Sequence, residues 1–282
     1  MKLRDFLNFD ENITDSSQIA EAEMPPEFGL PLATYVVVAS MVGTGILTTS
    51  GYTMASVGSN LLMLGLWVVG GLIAVCGALT LAELSSTLPR TGGDYVYLHE
   101  AYGPLVAFLS GWVSFVIGFS GPAAAAGIGS AKYLLAPLRL DPASGLLAQR
   151  GLATIAILGF ALNHVSGRRA TTHLQTWITL VKIFCLVVFI AFGLASGWSR
   201  VANLNDPKPI TLPVAQSMLL SLVYIYYAYT GWNGASYLAG EIRDAQRVLA
   251  RAILIGTALV AALYLGINLC YALALSNADL SA

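Results

Sequence analysis

Charged residues are scarce in this chain, and their scarcity excludes most classes of soluble protein. Asp, Glu, Lys and Arg make up 10% of the 282 residues, while 56% are hydrophobic. The mean hydropathy is +0.72, far above that of a soluble domain of this size. No charged residue occurs between Glu27 and Glu83, a gap long enough for two membrane-spanning helices of about 20 residues each. The composition therefore predicts an all-α, polytopic transmembrane helical bundle.

The sequence also lacks the residue patterns of several other classes. A net charge of −1 and the absence of a basic stripe argue against nucleic-acid binding. The 3 cysteines and 3 histidines have no metal-ligand or disulfide spacing, so neither a metal site nor a cofactor is expected. No nucleophile elbow, H-E-x-x-H motif or phosphate-binding loop is present, so we expect no catalytic residues and no enzymatic activity.

Seven apolar stretches are predicted to cross the membrane. They follow a polar N-terminal tail, residues 1–29, and together form a transmembrane domain, residues 30–282. The fourth stretch is short for a full crossing, and the third is long enough to tilt. The predicted spans are Leu30–Ser56, Leu61–Leu88, Pro104–Leu135, Gly151–Ser166, Thr172–Ser196, Pro213–Gly240 and Ala252–Ser276.

The Lys and Arg residues of the loops predict the orientation, because cytoplasmic loops carry an excess of positive charge. With the N-terminus inside, eight of these residues are cytoplasmic and five lie outside. The sequence therefore predicts a multi-pass protein of the cell membrane with a cytoplasmic N-terminal tail. The inner set is Lys2, Arg4, Arg90, Arg168, Arg169, Arg243, Arg247 and Arg251, and the outer set is Lys132, Arg139, Arg150, Arg200 and Lys208.

The centre of the first span is unsuited to a regular helix. It reads Val42-Gly43-Thr44-Gly45-Ile46, and a glycine inside a helix costs about 1 kcal/mol. A break within the bilayer frees N–H and C=O groups that lipid cannot satisfy, so it survives only inside protein or along a cavity. The partial charges of the two exposed helix ends can then hold a small zwitterion. The alternative is that Gly-x-Gly forms a close-packing face between helices.

The sixth span repeats this irregularity. Its centre reads YAYTGWNGAS from Tyr227 to Ser236, with glycines at Gly231 and Gly234. Two interrupted spans, five helices apart, are typical of an inverted five-helix repeat whose binding site lies where the breaks meet. The first repeat would cover residues 30–196, and residues 213–276 would begin the second. For the aromatic side chains of this segment, lipid contact or core packing is the alternative.

The segment from Ala82 to Gly103, AELSSTLPRTGGDYVYLHEAYG, carries the most specific pattern of the chain. With the break in the first span, the run from Gln175 to Lys182 and the segment from Ala228 to Arg247, it resembles the amino acid–polyamine–organocation (APC) superfamily of permeases. The resemblance covers almost everything from Leu30 to Ala274. The residues of the segment that fit the family pattern are Glu83, Pro89, Arg90, Gly92, Gly93, Asp94, Tyr95, Tyr97 and Gly103.

The resemblance implies a LeuT-like fold of inverted five-helix repeats, incomplete here in its second repeat. It also implies a secondary active transporter of amino acids or related amines. The partners would be that small molecule, the lipid bilayer and protons. Family members usually have more helices than the seven predicted here, so a truncated, non-transporting membrane scaffold or binding subunit is the alternative.

The resemblance further implies where a substrate would bind. Backbone groups at residues 43–45 would bind its carboxylate, and carbonyls at residues 229–231 would face its amine. Tyr227 falls where the family places an aromatic gate. The implied substrate-binding set is Val42, Gly43, Thr44, Gly45, Ile46, Tyr227, Tyr229, Thr230, Gly231, Trp232 and Asn233.

Lys182 lies about ten residues into the fifth span, which places it roughly 15 Å deep at the rise of an α-helix. A charge at that depth costs at least a few kcal/mol and commonly marks a functional path. In the family, a lysine at this position stands where sodium-coupled relatives bind an ion. The resemblance therefore implies proton coupling, or a fixed positive charge that replaces sodium. The alternative is a lysine that only braces the first span.

The chain departs from the family pattern after the sixth span. Ala245 and Leu249 stand where prolines are common. Since proline would limit a helix there, its absence predicts that the sixth span runs on towards the seventh.

Overall fold

The computed structural model describes residues 29–165, 168–197, 204 and 209–275. The predicted N-terminal tail lies outside the described residues, apart from Gly29. Within the described part, six helical stretches are long and apolar enough to cross a membrane, and a bent pair of helices makes a seventh candidate span. The prediction of an all-α, polytopic bundle is therefore confirmed.

The first three spans contain both regular and interrupted helices. The first consists of two helices that are bent by 42° at a short break. A short helix lies between the second and third spans, and a π-helical segment interrupts the third. The elements are α1 (Leu30–Met41), α2 (Gly45–Val57), α3 (Asn60–Thr87), α4 (Asp94–Tyr102), α5 (Pro104–Val113), the π-helical segment (Ser114–Phe119), α6 (Ser120–Leu135) and a 3₁₀ turn (Ala136–Leu138).

The fourth to seventh spans follow, and the sixth span of the protein is again interrupted. Its first half is an α-helix and its second half is a 3₁₀ segment. The elements are α7 (Pro142–Val165), α8 (Arg168–Gly197), α9 (Leu212–Tyr229), the 3₁₀ segment (Trp232–Glu241) and α10 (Ala245–Ala274).

Two predicted boundaries differ most from the observed ones. The fourth span begins at Pro142 rather than Gly151, and its 24 residues reach about 36 Å, long enough for a full crossing. The seventh begins at Ala245 rather than Ala252. In both cases the early turns carry polar or charged residues, such as Arg150 and Arg247, which lower the local hydropathy without ending the helix.

The expectation that the sixth span runs on towards the seventh is also wrong. The 3₁₀ segment ends at Glu241, and Ile242 is extended, with φ −101° and ψ 125°. Asp244 has φ 49° and ψ 50°, in the left-handed region that aspartate tolerates better than most residues. The chain therefore turns here without a proline.

The seventh span lies at the centre of the bundle. Helix α10 packs mainly against α3 and α1, and α9 packs against α2 and α3. At this junction the rings of Trp67, Tyr229 and Tyr264 are fully buried, with centroids 5.0–5.7 Å apart. By contrast, few residues of the third, fourth and fifth spans are buried. The first, second, sixth and seventh spans therefore form the core that holds the two breaks in place.

Candidate functional site

The break in the first span is short and leaves the end of α1 open. Val42 is extended, with ψ 98°, and Thr44 precedes α2 without a side-chain capping hydrogen bond. The last carbonyls of a helix have no intrahelical donors, and the first N–H groups have no intrahelical acceptors. The interrupted helix predicted from Gly43 and Gly45 is present, and it creates both kinds of group in the middle of a span.

Two side chains from other spans donate hydrogen bonds to these carbonyls. Lys182 Nζ donates to Ala39 O at 3.3 Å and to Val42 O, and Tyr264 Oη donates to Met41 O at 2.7 Å. Helix α8 begins four residues earlier than predicted, so Lys182 lies about 21 Å along it. The lysine and the tyrosine therefore satisfy backbone groups that lipid could not.

The break in the sixth span is centred on Thr230 and Gly231. Thr230 is extended, with ψ 160°, and both its N–H and its Oγ1 donate to Tyr227 O, at 3.1 and 2.7 Å. Gly231 has φ 109°, a conformation that residues with a Cβ rarely adopt. The carbonyl of Ala228 accepts a hydrogen bond from Tyr264 Oη at 3.2 Å. One tyrosine hydroxyl thus contacts the backbone of both breaks.

The two breaks meet through their glycines. A Cβ on Gly231 would lie 2.6 Å from Ser40 O, and one on Gly234 would lie 2.5 Å from Ser40 Oγ. A Cβ on Gly45 would lie 3.0 Å from Ala228. The glycines therefore permit close packing between the first and sixth spans as well as the breaks themselves. The close packing weighed as the alternative is therefore present together with the breaks, and substrate binding at the breaks stays a prediction.

A cavity of about 470 Å³ lies beside the sixth-span break and against Ser40 of α1. Four of the predicted residues line it: Tyr227, Thr230, Gly231 and Asn233. The rest of its wall comes from α1, α4, the third span and the 3₁₀ segment, through Ser40, Asp94, Ser114, Gly118, Phe119, Pro122, Gly234 and Tyr237.

The residues of the first span that are predicted to bind substrate do not line this cavity. Residues 42–44 form the adjoining break and residues 45–46 begin α2; Gly43 is exposed and Ile46 is fully buried. Apart from Gly43 and its two chain neighbours, no heavy atom lies within 4 Å of the position that a Cβ on Gly43 would take. The backbone at Gly43 is therefore the open part of this break.

The side chains of Tyr229 and Trp232 also point away from the cavity. Tyr229 is fully buried, and its hydroxyl donates to Trp67 O at 3.3 Å. The ring of Trp232 packs over Gly77 of α3, 3.1 Å from the position of an added Cβ. Core packing, the alternative weighed for the aromatic residues of this span, describes both side chains.

Sequence reasoning missed the contribution of the third span. Its π-helical segment places Ser114, Gly118 and Phe119 on the cavity. Pro122 has no N–H with which to bond an earlier carbonyl, and Ser120 Oγ donates to Phe115 O at 2.8 Å. The glycine and proline in the run GFSGP are the signal that could have indicated an irregular helix, since π-bulges are frequent at functional sites.

The segment before the third span is anchored on the end of the second. In α4, Tyr97 is buried, and its hydroxyl donates to Ser85 Oγ at 3.3 Å. Burial raises the pKa of the Tyr97 hydroxyl above its ordinary value. Asp94 begins this helix and reaches the cavity, a position that its place in the family motif did not reveal.

The fold and the two facing breaks define a class, that of polytopic helical membrane proteins built around a pair of interrupted spans. Among the described residues, no three His, Cys, Asp or Glu side chains are grouped so that they could hold a metal ion. The family model of amino acid permeases matches residues 28–282. The chain therefore belongs to the amino acid permease family, within the APC superfamily.

Curated relatives agree with this assignment. The serine/threonine exchanger SteT of Bacillus subtilis (strain 168) is 31% identical over 242 residues, which cover 86% of this chain and 53% of the relative. The large neutral amino acids transporter small subunit 2 of Homo sapiens is 32% identical, covering 91% of this chain and 49% of the relative. The human b(0,+)-type amino acid transporter 1 is 29% identical over 93% of the chain and 54% of its own length. The chain thus spans about half the length of these relatives.

The dual role of the Tyr264 hydroxyl predicts the effect of removing it. Tyr264→Phe keeps the packed ring but leaves the carbonyls of Met41 and Ala228 without this donor. An unsatisfied buried polar group costs about 1–3 kcal/mol, so the melting temperature of the purified chain in detergent should fall clearly. Tyr271→Phe is the matched control, because Tyr271 lies on the same helix and its ring contacts Phe189 instead. Equal melting temperatures for the two variants would contradict the role of Tyr264.

Proposed function

We propose that the chain provides the substrate-binding core of an amino acid permease and that a neutral amino acid binds where the two breaks meet. The observation that supports this most directly is the contact of Gly231 with Ser40, which joins the two breaks beside a cavity. A volume of about 470 Å³ is within the range of small-molecule sites, about 300–1,000 Å³.

Backbone groups suit the two charges of an amino acid. The N–H groups at the start of α2, after Gly43, would bind the carboxylate, because a helix N-terminus binds an anion without a charged side chain. The carbonyl end of α9 and the side-chain oxygen of Asn233 would face the ammonium group. This arrangement needs no counter-ion from the protein for the carboxylate.

The relatives and the remaining wall of the cavity support a substrate class. The names of two relatives specify serine, threonine and large neutral amino acids. Gly118, Phe119 and Pro122 add an apolar surface to the cavity, which suits an uncharged side chain. We therefore propose neutral amino acids as the substrates.

We also propose that Lys182 couples transport to protons. Its ammonium group donates to the carbonyls of Ala39 and Val42, at the end of α1. Loss of the proton would remove this charge-assisted donation and release the helix end, giving an element with two states. A lysine that stays charged would instead act as a fixed substitute for a cation.

The orientation completes the proposal. We propose that the N-terminus is cytoplasmic, because the distribution of Lys and Arg favours this orientation, with the start of α10 inside and the turn between α6 and α7 outside. The chain would then expose segment 88–103 to the cytoplasm.

Binding measurements on the purified chain in lipid nanodiscs test the site. Wild-type protein should bind radiolabelled serine, threonine or leucine in a scintillation proximity assay. Gly43→Leu should weaken binding about tenfold or more, because the side chain would occupy the open backbone where the carboxylate binds. Gly65→Leu is the matched control, since an added Cβ there also has open space around it beyond its own helix, and Gly65 lies inside the regular helix α3 rather than at a break.

Equal affinity of Gly43→Leu and Gly65→Leu would contradict the carboxylate site. A substitution at Gly45 would be less informative, because an added Cβ would lie too close to Ala228 and would also disturb the packing of the two spans. Binding by the wild type without exchange in proteoliposomes would favour a binding subunit over a transporter.

The coupling proposal predicts that Lys182→Met transports without a pH dependence or not at all. The substitution keeps a long side chain and removes the charge that holds the end of α1. Amino acid uptake would be measured in proteoliposomes over the acid-to-neutral range, with and without an imposed proton gradient. Lys132→Met, at the exposed end of α6, is the control and should behave as wild type. If Lys182→Met transports at the wild-type rate at every pH, the lysine only braces α1.

The orientation proposal predicts opposite labelling of two single cysteines. Cys76, Cys185 and Cys270 would first be replaced, and Arg139→Cys or Arg247→Cys added. In intact cells an impermeant maleimide should label the variant at 139, between the third and fourth spans, and not the variant at 247, in α10. The reverse pattern would overturn the orientation.

A further inference from the structure

Residues Thr91–Asp94, which precede and begin α4, dock along the 3₁₀ segment of the sixth span. Thr91 Oγ1 accepts a hydrogen bond from the Gly240 N–H at 2.8 Å. Gly93 lies under the ring of Tyr237, where an added Cβ would come within 2.8 Å of the ring. Gly93 also has φ 56°, so a glycine suits both the turn and the contact. We call this set of contacts between residues 91–94 and residues 233–240 the clasp.

Asp94 forms the end of the clasp that reaches the cavity. Its Oδ2 accepts a hydrogen bond from Asn233 Nδ2 at 2.8 Å and one from the Tyr237 hydroxyl at 3.5 Å. All three residues line the cavity. Arg90, four residues earlier, pairs with Glu100 at 2.8 Å rather than with Asp94. The hydrogen bonds described for Asp94 are therefore directed at the sixth span.

The chemistry of these groups fixes the orientation of the Asn233 amide. A carboxylate only accepts hydrogen bonds, so the NH₂ group of Asn233 must face Asp94. The remaining polar atom of the amide is Oδ1, an acceptor, and it belongs to a side chain on the cavity wall. Without the carboxylate the amide could turn and present either a donor or an acceptor.

We infer that Asp94 is a positioning residue of the substrate cavity: it clasps the 3₁₀ segment of the sixth span and orients Asn233 so that Oδ1 is offered to the ligand. The second half of this inference rests on the proposed function, because an acceptor at this place suits the ammonium group of an amino acid. The first half is a property of the protein without ligand. Asp94 acts on the ligand through Asn233.

Asp94→Asn is the test variant, because it keeps the shape of the side chain but replaces a carboxylate, which only accepts hydrogen bonds, with an amide, which also donates them. Glu100→Gln is the matched control, since it removes a carboxylate from the same short helix, where Glu100 pairs with Arg90 on the surface. Both variants would be purified in lipid nanodiscs, and their melting temperatures compared with that of the wild type. Asp94→Glu, which restores a carboxylate, should recover part of any lost function.

Amide hydrogen exchange tests the clasp without a ligand. In Asp94→Asn, exchange should rise about tenfold in residues 232–241, because local opening becomes easier when a docking contact is lost. In Glu100→Gln, amide exchange of residues 232–241 should stay at the wild-type level. Unchanged exchange in Asp94→Asn would overturn the inference, whether or not the protein binds an amino acid.

A double-mutant cycle tests the positioning role. Asp94→Asn should weaken amino acid binding about tenfold at an unchanged melting temperature, as expected for a charge-assisted hydrogen bond. In an Asn233→Ala background the same substitution should have little further effect, because Asp94 acts through that amide. The role of Asp94 would be overturned if the losses of affinity in the two single variants added up in the double variant. It would also be overturned if the loss of affinity in Asp94→Asn came with a lower melting temperature. Failure of the wild type to bind any amino acid would contradict the proposed function, and the exchange measurement would still decide on the clasp.

Discussion

The fold depends on one constraint, that backbone carbonyls freed inside a membrane must find donors within the protein. The end of α1 receives hydrogen bonds from Lys182 in the fifth span and Tyr264 in the seventh. Because each unsatisfied group would cost about 1–3 kcal/mol, the break could not persist in an isolated pair of helices. The positions of the fifth and seventh spans are therefore tied to the interruption of the first. A charged residue in the bilayer, which looks costly by itself, here supplies a necessary donor.

The glycines of the two interrupted spans serve this arrangement in more than one way. Gly231 adopts a left-handed conformation and also allows the carbonyl of Ser40 to approach. Gly45 lies against Ala228, whereas the space around Gly43 is open. Glycines that look equivalent in the sequence therefore have different roles. Gly231 and Gly45 allow the helices to pack closely, and Gly43 leaves its backbone exposed. Gly231 also lines the cavity, so a packing role does not remove a glycine from the site.

The sequence predicted the features that conflict with a simple apolar helix. Paired glycines and a deep lysine stand out in apolar runs, so both breaks and the position of Lys182 could be predicted. The run GFSGP could have indicated an irregular third span but not its place on the cavity wall, because that place depends on packing against the sixth span, such as the contact of Phe119 with Tyr237. The partners of Asp94 are 139 and 143 residues away in the chain, and no local pattern indicates such contacts. The inward direction of Tyr229 likewise depends on the aromatic cluster around it.

The contacts of Tyr264 have a consequence for how the two breaks behave together. A hydroxyl has one proton, yet Met41 O and Ala228 O lie 2.7 and 3.2 Å from it. The proton therefore cannot serve both carbonyls at full strength, and the shorter contact takes the larger share. A displacement of α1 relative to α9 changes this division, so the energy of one break depends on the position of the other. Because Tyr264 is fully buried, water cannot replace the missing donor. The backbones of the first and sixth spans therefore share one hydrogen-bond donor, the Tyr264 hydroxyl on the seventh span.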